Sequence, residues 1–326
     1  MSRRLGPIFL KQGNDNVENC ISKLQELKEN PGLSPTIIKE IEYEIRRLKA
    51  GVHGEKNVYF ELNNSGMDMY ILQDIYLEGI GEEDNVQIDF LVITNKHIYV
   101  IECKNLHGNI TIKKEGVFGE EIFYQNDEKY YSPIRQNKRH LDAIFKKCLS
   151  HKGTFVRYKD FETDFWETYK SLIVIANPKT TMNIENSSVE IANQFVYIDY
   201  LIERIKSLDA LKGKKMSTKK MLQIGNFLLS LNSENDFYSR LYNNIYKKVE
   251  ADLDKNINGI VEKLKQFRKS KCKEENTKAF YIFTDAQLNK LIEKRPTTKE
   301  ELKRIEGFGE KKAEKYGDEI LRILCN

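Results

Sequence analysis

Residues 85–104 read Asn-Val-Gln-Ile-Asp-Phe-Leu-Val-Ile-Thr-Asn-Lys-His-Ile-Tyr-Val-Ile-Glu-Cys-Lys, and the fold turns on them. Two β-rich runs, 85–94 and 97–104, flank Asn95-Lys96, a pair suited to a hairpin turn. Alternate side chains of a strand share a face, so Gln87 joins Asp89 and Glu102 joins Lys104. The same alternation turns Ile88, Phe90, Ile101 and Cys103 the other way, into apolar packing. Pairing across the turn brings Asp89 and Glu102 together. Two anions there repel unless a cation sits between them, and hard oxygen ligands suit Mg²⁺ or Mn²⁺. Lys104 can orient a water and stabilise charge developing on a phosphate. A Glu-x-Lys pair alone is a common solvated pattern. Here both runs are otherwise almost wholly apolar, and a polar residue in an interior strand needs a reason.

Outward from the hairpin, Met69–Leu77 reads as a strand on the N-terminal side, and 110–113 and 121–124 as short strands beyond it. Pro133 opens a helix holding Ile134, Leu141 and Ile144. Leu172-Ile-Val-Ile-Ala is a buried strand ended by Asn177-Pro178, and Phe195-Val-Tyr-Ile leads into a helix over 200–208. This order argues an α/β fold with a mixed sheet flanked by helices. Residues 15–50 read as two antiparallel helices broken at Asn30-Pro31-Gly32. Ser34 caps the second, Pro35 takes its first position, and Gly51 ends it. A third helix is expected to begin near Gly54-Glu55. Residues 209–235 are polar, Lys-rich at 211–215, with an apolar-periodic helix over 221–231 and a linker at Ser233-Glu-Asn-Asp. A long helix over about 237–270 follows, with an expected interruption near Asn256–Gly259.

The chain's 326 residues suffice for two domains. Its 53 Lys and Arg nearly cancel 49 Asp and Glu, and a net +4 decides nothing about a nucleic-acid partner. Position decides more. Residues 241–326 hold 20 cations against 15 anions, and the first 240 hold 33 against 34. The five cysteines (Cys20, Cys103, Cys148, Cys272, Cys325) form no CxxC or CxxH, which argues against a disulfide framework or a zinc site. With neither a signal peptide nor a stretch of about 20 apolar residues, the expectation is a cytoplasmic protein with no membrane partner.

Gly54-Glu55, Gln87-Ile88-Asp89, Ile101-Glu102-Cys103-Lys104-Asn105 with Gly108, and Ser132-Pro133-Ile134-x-Gln136 resemble the successive motifs of the NERD (nuclease-related) domain, grouped with the PD-(D/E)xK nucleases. The resemblance implies a restriction-endonuclease-like core acting as a Mg²⁺- or Mn²⁺-dependent phosphodiester hydrolase. It implies that Asp89 and Glu102 bind the metal, with the Cys103 carbonyl and Glu55 completing its shell. Lys104 would position the attacking water, Gln136 would reach in from the following helix, and Gln87-Ile88-Asp89 stands where the superfamily's short signature has a Pro-Asp pair. The residues leave other readings open. Glu55 suits a helix's first turn, Gln136 suits a buried amide pinning helix to sheet, and Cys103 suits a small hydrophobe. His107 and His140 read as surface histidines, and Trp166, Phe161 and Phe165 as core or lid packing.

The C-terminal basic run, residues 263–278, holds seven cations against two anions. Thr284-Asp285, then Thr297 and Thr298 with Glu300 or Glu301, suit helix caps. Gly307-Phe-Gly309 is a tight turn whose amides suit either a phosphate or a plain helix connection. Phe280-Tyr-Ile-Phe-Thr-Asp285 and Gly307-Phe-Gly-Glu-Lys-Lys312 resemble the HRDC domain (helicase and RNase D C-terminal), a small all-α bundle whose members bind DNA or, in some cases, proteins. The resemblance implies nucleic-acid contacts at Lys265, Arg268, Lys269, Lys271, Gly307, Gly309, Lys311 and Lys312, while Phe280, Tyr281 and Phe283 read as core. The resulting division is a helical extension (1–50), a nuclease-like domain (51–235), a helical linker (236–254) and an HRDC domain (255–326). The expected function is a metal-dependent nuclease on single- or double-stranded DNA, with RNA as a further substrate class. The alternative is a non-catalytic module that recruits DNA or protein.

Overall fold

The computed structural model describes residues 6–79, 85–115, 120–151, 161–185, 187–211, 214–234 and 236–325. The Lys-rich stretch at 211–215 and the linker at 233–236 fall partly outside them. By compactness the chain forms two units, Met1–Ser22 with Glu44–Tyr238, and Lys23–Tyr43 with Ser239–Asn326. The elements begin with β1 (Pro7–Lys11), α1 (Asn16–Lys28), α2 (Pro35–Asn63), β2 (Met69–Leu77), β3 (Val86–Ile93) and β4 (Ile98–Lys104). Then come β5 (Asn109–Glu115), β6 (Glu120–Gln125), β7 (Glu128–Tyr130), α3 (Pro133–Ser150), α4 (Phe161–Thr168), β8 (Tyr169–Ile175) and β9 (Thr181–Glu185). After them follow α5 (Val189–Ala192), β10 (Phe195–Tyr197), α6 (Leu201–Ala210) and α7 (Thr218–Ser230).

A six-stranded mixed sheet, β1-β2-β3-β4-β8-β10, organises the first unit. The hairpin forms as its sequence requires, with Phe90 opposite Ile101 and Ile93 opposite Ile98. On its other side β4 pairs in parallel with β8. Both faces of the sheet are covered, which explains the nearly unbroken apolar runs. One face meets Leu141 and Ile144 of α3 and Met221 and Leu228 of α7; the other meets Val58 and Leu62 of α2 and Leu201 and Ile205 of α6. A second sheet, β7-β6-β5-β9, carries the chain from β4 to α3. Ser132 then caps α3 by accepting from the Arg135 amide, and Pro133 opens it.

Three expectations are corrected. First, α2 is one helix of 29 residues: Gly51 does not end it and no separate helix starts at Gly54. A lone glycine costs a helix only about 1 kcal/mol, and the buried Ile41, Ile45, Leu48, Val58 and Leu62 hold the helix on either side. Second, Ile88 and Phe90 do not share a face. Ile88 packs with α3 and Phe90 with α2, and β2 makes the same switch between Leu72 and Ile75. The switch lies at Asp74, a left-handed residue (φ 58°) between the paired positions Gln73–Phe90 and Ile75–Ile88. Period-two reasoning cannot foresee such a break. Third, the helix at 237 runs uninterrupted.

The second unit contains this helix, α8 (Phe237–Glu274), from Ser239 onward, then α9 (Ala279–Ile282), α10 (Asp285–Lys294), α11 (Lys299–Lys303) and α12 (Glu310–Cys325). Residues 23–43 belong to it too. The Ser34 amide donates to Asp252, Asn256 donates to the Gly32 carbonyl, and Lys248 pairs with Glu40. Its core joins Ile260, Leu264 and Phe267 of α8 to Phe283, Leu291, Phe308, Tyr316 and Ile320.

Candidate functional site

The polar ends of β3 and β4 form the site, and each neighbour reaches it for a local reason. The ladder between β3 and β4 ends at Phe90 and Ile101. One residue further, the Asp89 carboxylate accepts the Cys103 amide at 2.7 Å, replacing a backbone partner with a side chain. Glu102 is 2% exposed and pairs with Lys104 at 2.7 Å. Lys104 donates to the Gln136 side-chain oxygen at 2.9 Å, and Gln136 bonds back to Glu102, so the first turn of α3 clamps the pair. The neighbouring residue, Asn137, is the buried amide that pins helix to sheet, donating to Val100 O and Ser171 Oγ. Gln136 is therefore free of that duty.

Glu55 arrives through Gly54. A Cβ at Gly54 would stand 2.8 Å from Asn105 Cβ and 3.0 Å from Cys103 Sγ, so only glycine lets α2 pass this close to the end of β4. Asn105 donates to the Ala50 carbonyl and locks the approach. Gln87 sits one step aside, donating to Asp74 at 2.7 Å.

Crowding of carboxylates governs the electrostatics. Burial, then the charges of Glu102 and Glu55, holds Asp89 well above the usual carboxylate range, against the pull of the Cys103 amide and Lys104. Glu55 is pushed up to about 7 by burial and by Asp74, Glu102 and Glu18. Burial raises Glu102 as well, with Lys104 opposing. Burial alone would lower Lys104, but Glu102 and Asp89 raise it, so it stays an ammonium at neutral pH. The Cys103 thiol is pushed up by burial and the same carboxylates.

Sequence reasoning missed several participants. His140 is no surface residue: it is 3% exposed, with Nδ1 3.6 Å from Glu102 Oε2, and neither atom has a hydrogen-bond partner. Burial, Lys104 and Arg139 pull its pKa to about 3, so it is neutral. Its spacing of four residues from Gln136 put it on the inner face of α3 and was the available signal. His107 is exposed, as expected. Asp74 and Tyr238 line, with Glu55 and Gln87, an open cleft of about 300 Å³. The Tyr238 hydroxyl bonds Gln87 and is raised to about 12 by burial and the nearby carboxylates. Nothing in the local sequence marked either residue. Phe161, Phe165 and Trp166 pack with Phe145, as expected, although Trp166 is 40% exposed. Among the described residues, no three His, Cys, Asp or Glu side chains converge closely enough to hold a metal ion.

In the second unit the expected cations divide. Arg268 serves the fold: it donates to the Phe283 carbonyl at 3.1 Å, pairs with Asp285 at 2.8 Å and lies over the Phe283 ring. Lys271 pairs with Glu274 and Glu319, and Lys265 with Glu262. Lys312 lies over the Phe308 ring, while Lys269 and Lys311 are exposed. Gly307 takes φ 82° with the Gln287 side chain against it, and Gly309 does not need positive φ. The Phe308 amide is taken by Ile305. Phe283 is core, but Phe280 (52% exposed) and Tyr281 (61%) are not; their rings lie tilted against each other with centroids 4.5 Å apart. The one-turn helix α9 is too short to bury both of its faces.

Comparison with known proteins identifies two domains along the chain. Residues 50–176 match the nuclease-related domain family and residues 258–324 match the HRDC domain family. The chain thus carries a nuclease-related domain followed by an HRDC domain. Over 74 residues it is 36% identical to the ATP-dependent DNA helicase UvrD2 of Mycobacterium tuberculosis, covering 23% of this chain and 10% of the helicase. Over 77 residues it is 39% identical to the ATP-dependent DNA helicase Q-like 4B of Arabidopsis thaliana, covering 23% of this chain and 7% of that protein. The chain therefore spans a tenth or less of these curated relatives. A solved HRDC domain 3 of D. radiodurans RecQ is 37% identical, covering 21% of this chain and 90% of that one, with a TM-score of 0.20. No helix among the described residues is long and apolar enough to cross a membrane.

Proposed function

We propose that the nuclease-related domain is a metal-dependent nuclease hydrolysing DNA phosphodiester bonds, and that the HRDC domain binds nucleic acid. The observation that carries this is the joining of Glu55, Asp89 and Glu102, three carboxylates from three elements, with the Lys104 ammonium at one sheet end. Glu102 raises both Asp89 and Glu55, a crowding of buried negative charge that a cation would relieve, and Glu102 Oε2 has no hydrogen-bond partner. Asp89 and Glu102 supply carboxylate oxygens of the kind Mg²⁺ or Mn²⁺ takes, and Glu55 would have to close on them to complete a three-carboxylate shell. When bound, such an ion supplies Lewis-acid polarisation of the phosphate and activation of water. Lys104 spends two of its three N–H groups on Glu102 and Gln136, and offers the third to the attacking water or a phosphate oxygen. Gln136 keeps Glu102 aimed, with His140 packed beside it. In the HRDC domain, Lys269 and Lys311 suit phosphate contacts, and the Phe280–Tyr281 pair suits stacking on exposed bases.

The purified chain with Mg²⁺ or Mn²⁺ is expected to cut DNA, and Asp89→Asn to lose at least about a hundredfold in rate with no fall in its thermal midpoint. DNA binding without cutting, across metals and strand types, would point to a recruitment module.

A further inference from the structure

The first 240 residues are almost neutral, yet α3 alone carries Arg135, Lys138, Arg139, Lys146 and Lys147 against Asp142. Arg135, Lys138, Arg139 and Lys146 are exposed; the first three lie within one turn and Lys146 lies two turns beyond Arg139, on the same stripe. At its N-terminal end the stripe meets two exposed aromatics, Tyr130 (41%) and Tyr131 (51%). The Arg139 guanidinium lies 5.4 Å from the centroid of the Tyr131 ring. Tyr130 rests one side of its ring against Phe123. The same helix delivers Gln136 to Lys104. Aromatics and cations therefore run together up to the rim of the catalytic candidate.

We infer that Tyr130, Tyr131 and the basic stripe of α3 form a track for an unpaired nucleic-acid strand, with the tyrosines stacking on bases and the cations following phosphates. Duplex interiors offer phosphates but no free base faces, whereas every unpaired base has a π-face to give. The inference deepens the nuclease reading by naming the form of its substrate: a single strand, or a frayed end, whose backbone is led to Lys104.

The test is photocrosslinking of the full chain, in EDTA, to an oligodeoxynucleotide carrying iododeoxyuridine, with crosslinked peptides read by mass spectrometry. The expected result is a crosslink at Tyr130 or Tyr131 with the single strand and none with the matching duplex. The double variant Tyr130→Leu/Tyr131→Leu is expected to lose it and to weaken single-strand affinity by roughly five- to a hundredfold per stacked base, while Tyr131→Trp retains it. An iodouridine RNA strand, run in parallel, separates DNA from RNA as the source. Crosslinks confined to other residues, or equal yields from strand and duplex, would overturn the track. Cutting is not required for any of these readings. A crosslink without metal-dependent cleavage removes the nuclease proposal alone, and cleavage without the crosslink removes the track alone.

Discussion

Glu55 shows how much chemistry one residue can report. Its pKa of about 7 lies above the ordinary 4.5, so between those values the folded state holds a proton that the unfolded chain has released. Stability from this group is complete below about pH 4.5 and is lost as pH rises through 7. Asp89 and Glu102 are shifted the same way. In EDTA, the thermal midpoint is expected to fall between pH 5 and pH 8. Glu55→Gln, which cannot ionise, is expected to recover about 1–3 kcal/mol at the alkaline end and nothing near pH 4; melts across that range check it. Asp89, Glu102 and Lys104 were legible because polar residues interrupt otherwise apolar strands. Asp74 and His140 were not: one needs a backbone conformation to matter, the other a helix docked on the sheet.

At the scale of elements, α2 carries its own control. Ala for Gly at an open helical position stabilises by about 0.5–1 kcal/mol, and Gly51 has nothing within 4 Å of the added methyl. At Gly54 the same change drives a methyl against Asn105 and Cys103, and the sign should reverse. Gly51→Ala is expected to raise stability slightly, and Gly54→Ala to lower it by about 1–3 kcal/mol and impair any cleavage, since Glu55 is displaced. Paired denaturation curves and rates decide between them. The strands, the hairpin turn and α3 could be read from periodicity and caps. The joined α2 and the unbroken α8 could not, because burial at Val58, Leu62, Ile260 and Leu264 outweighs the local preference of a glycine.

For the whole molecule, the uneven distribution of charge acquires a finer map. The basic surplus of residues 241–326 is partly consumed internally, as at Arg268 and Lys271, so fewer cations face a ligand than the count suggests. The double variant Lys269→Ala/Lys311→Ala is expected to lower the slope of log K against log salt by about 0.7–0.9 per lost phosphate contact. Arg268→Ala is expected to act mainly on the melting of the bundle. Titrations of DNA binding from low to moderate salt, beside melting curves, separate the two effects. The pairing of the two domains was legible from motif order. The exposure of Phe280 and Tyr281 was not, because an aromatic run in a short helix looks the same whether or not its second face is covered.

Parallel pairing of β4 with β8 also sets an order in time. Ile98–Lys104 receives its outer neighbour only from Tyr169–Ile175, some sixty residues later in translation. Until then the emerging chain has one side of β4 unpaired, and Glu102 and Lys104 lack the wall that buries them. A ribosome-held fragment ending before β8 thus carries every candidate catalytic side chain yet no assembled centre. Assembly of the candidate centre therefore waits for the sheet to close.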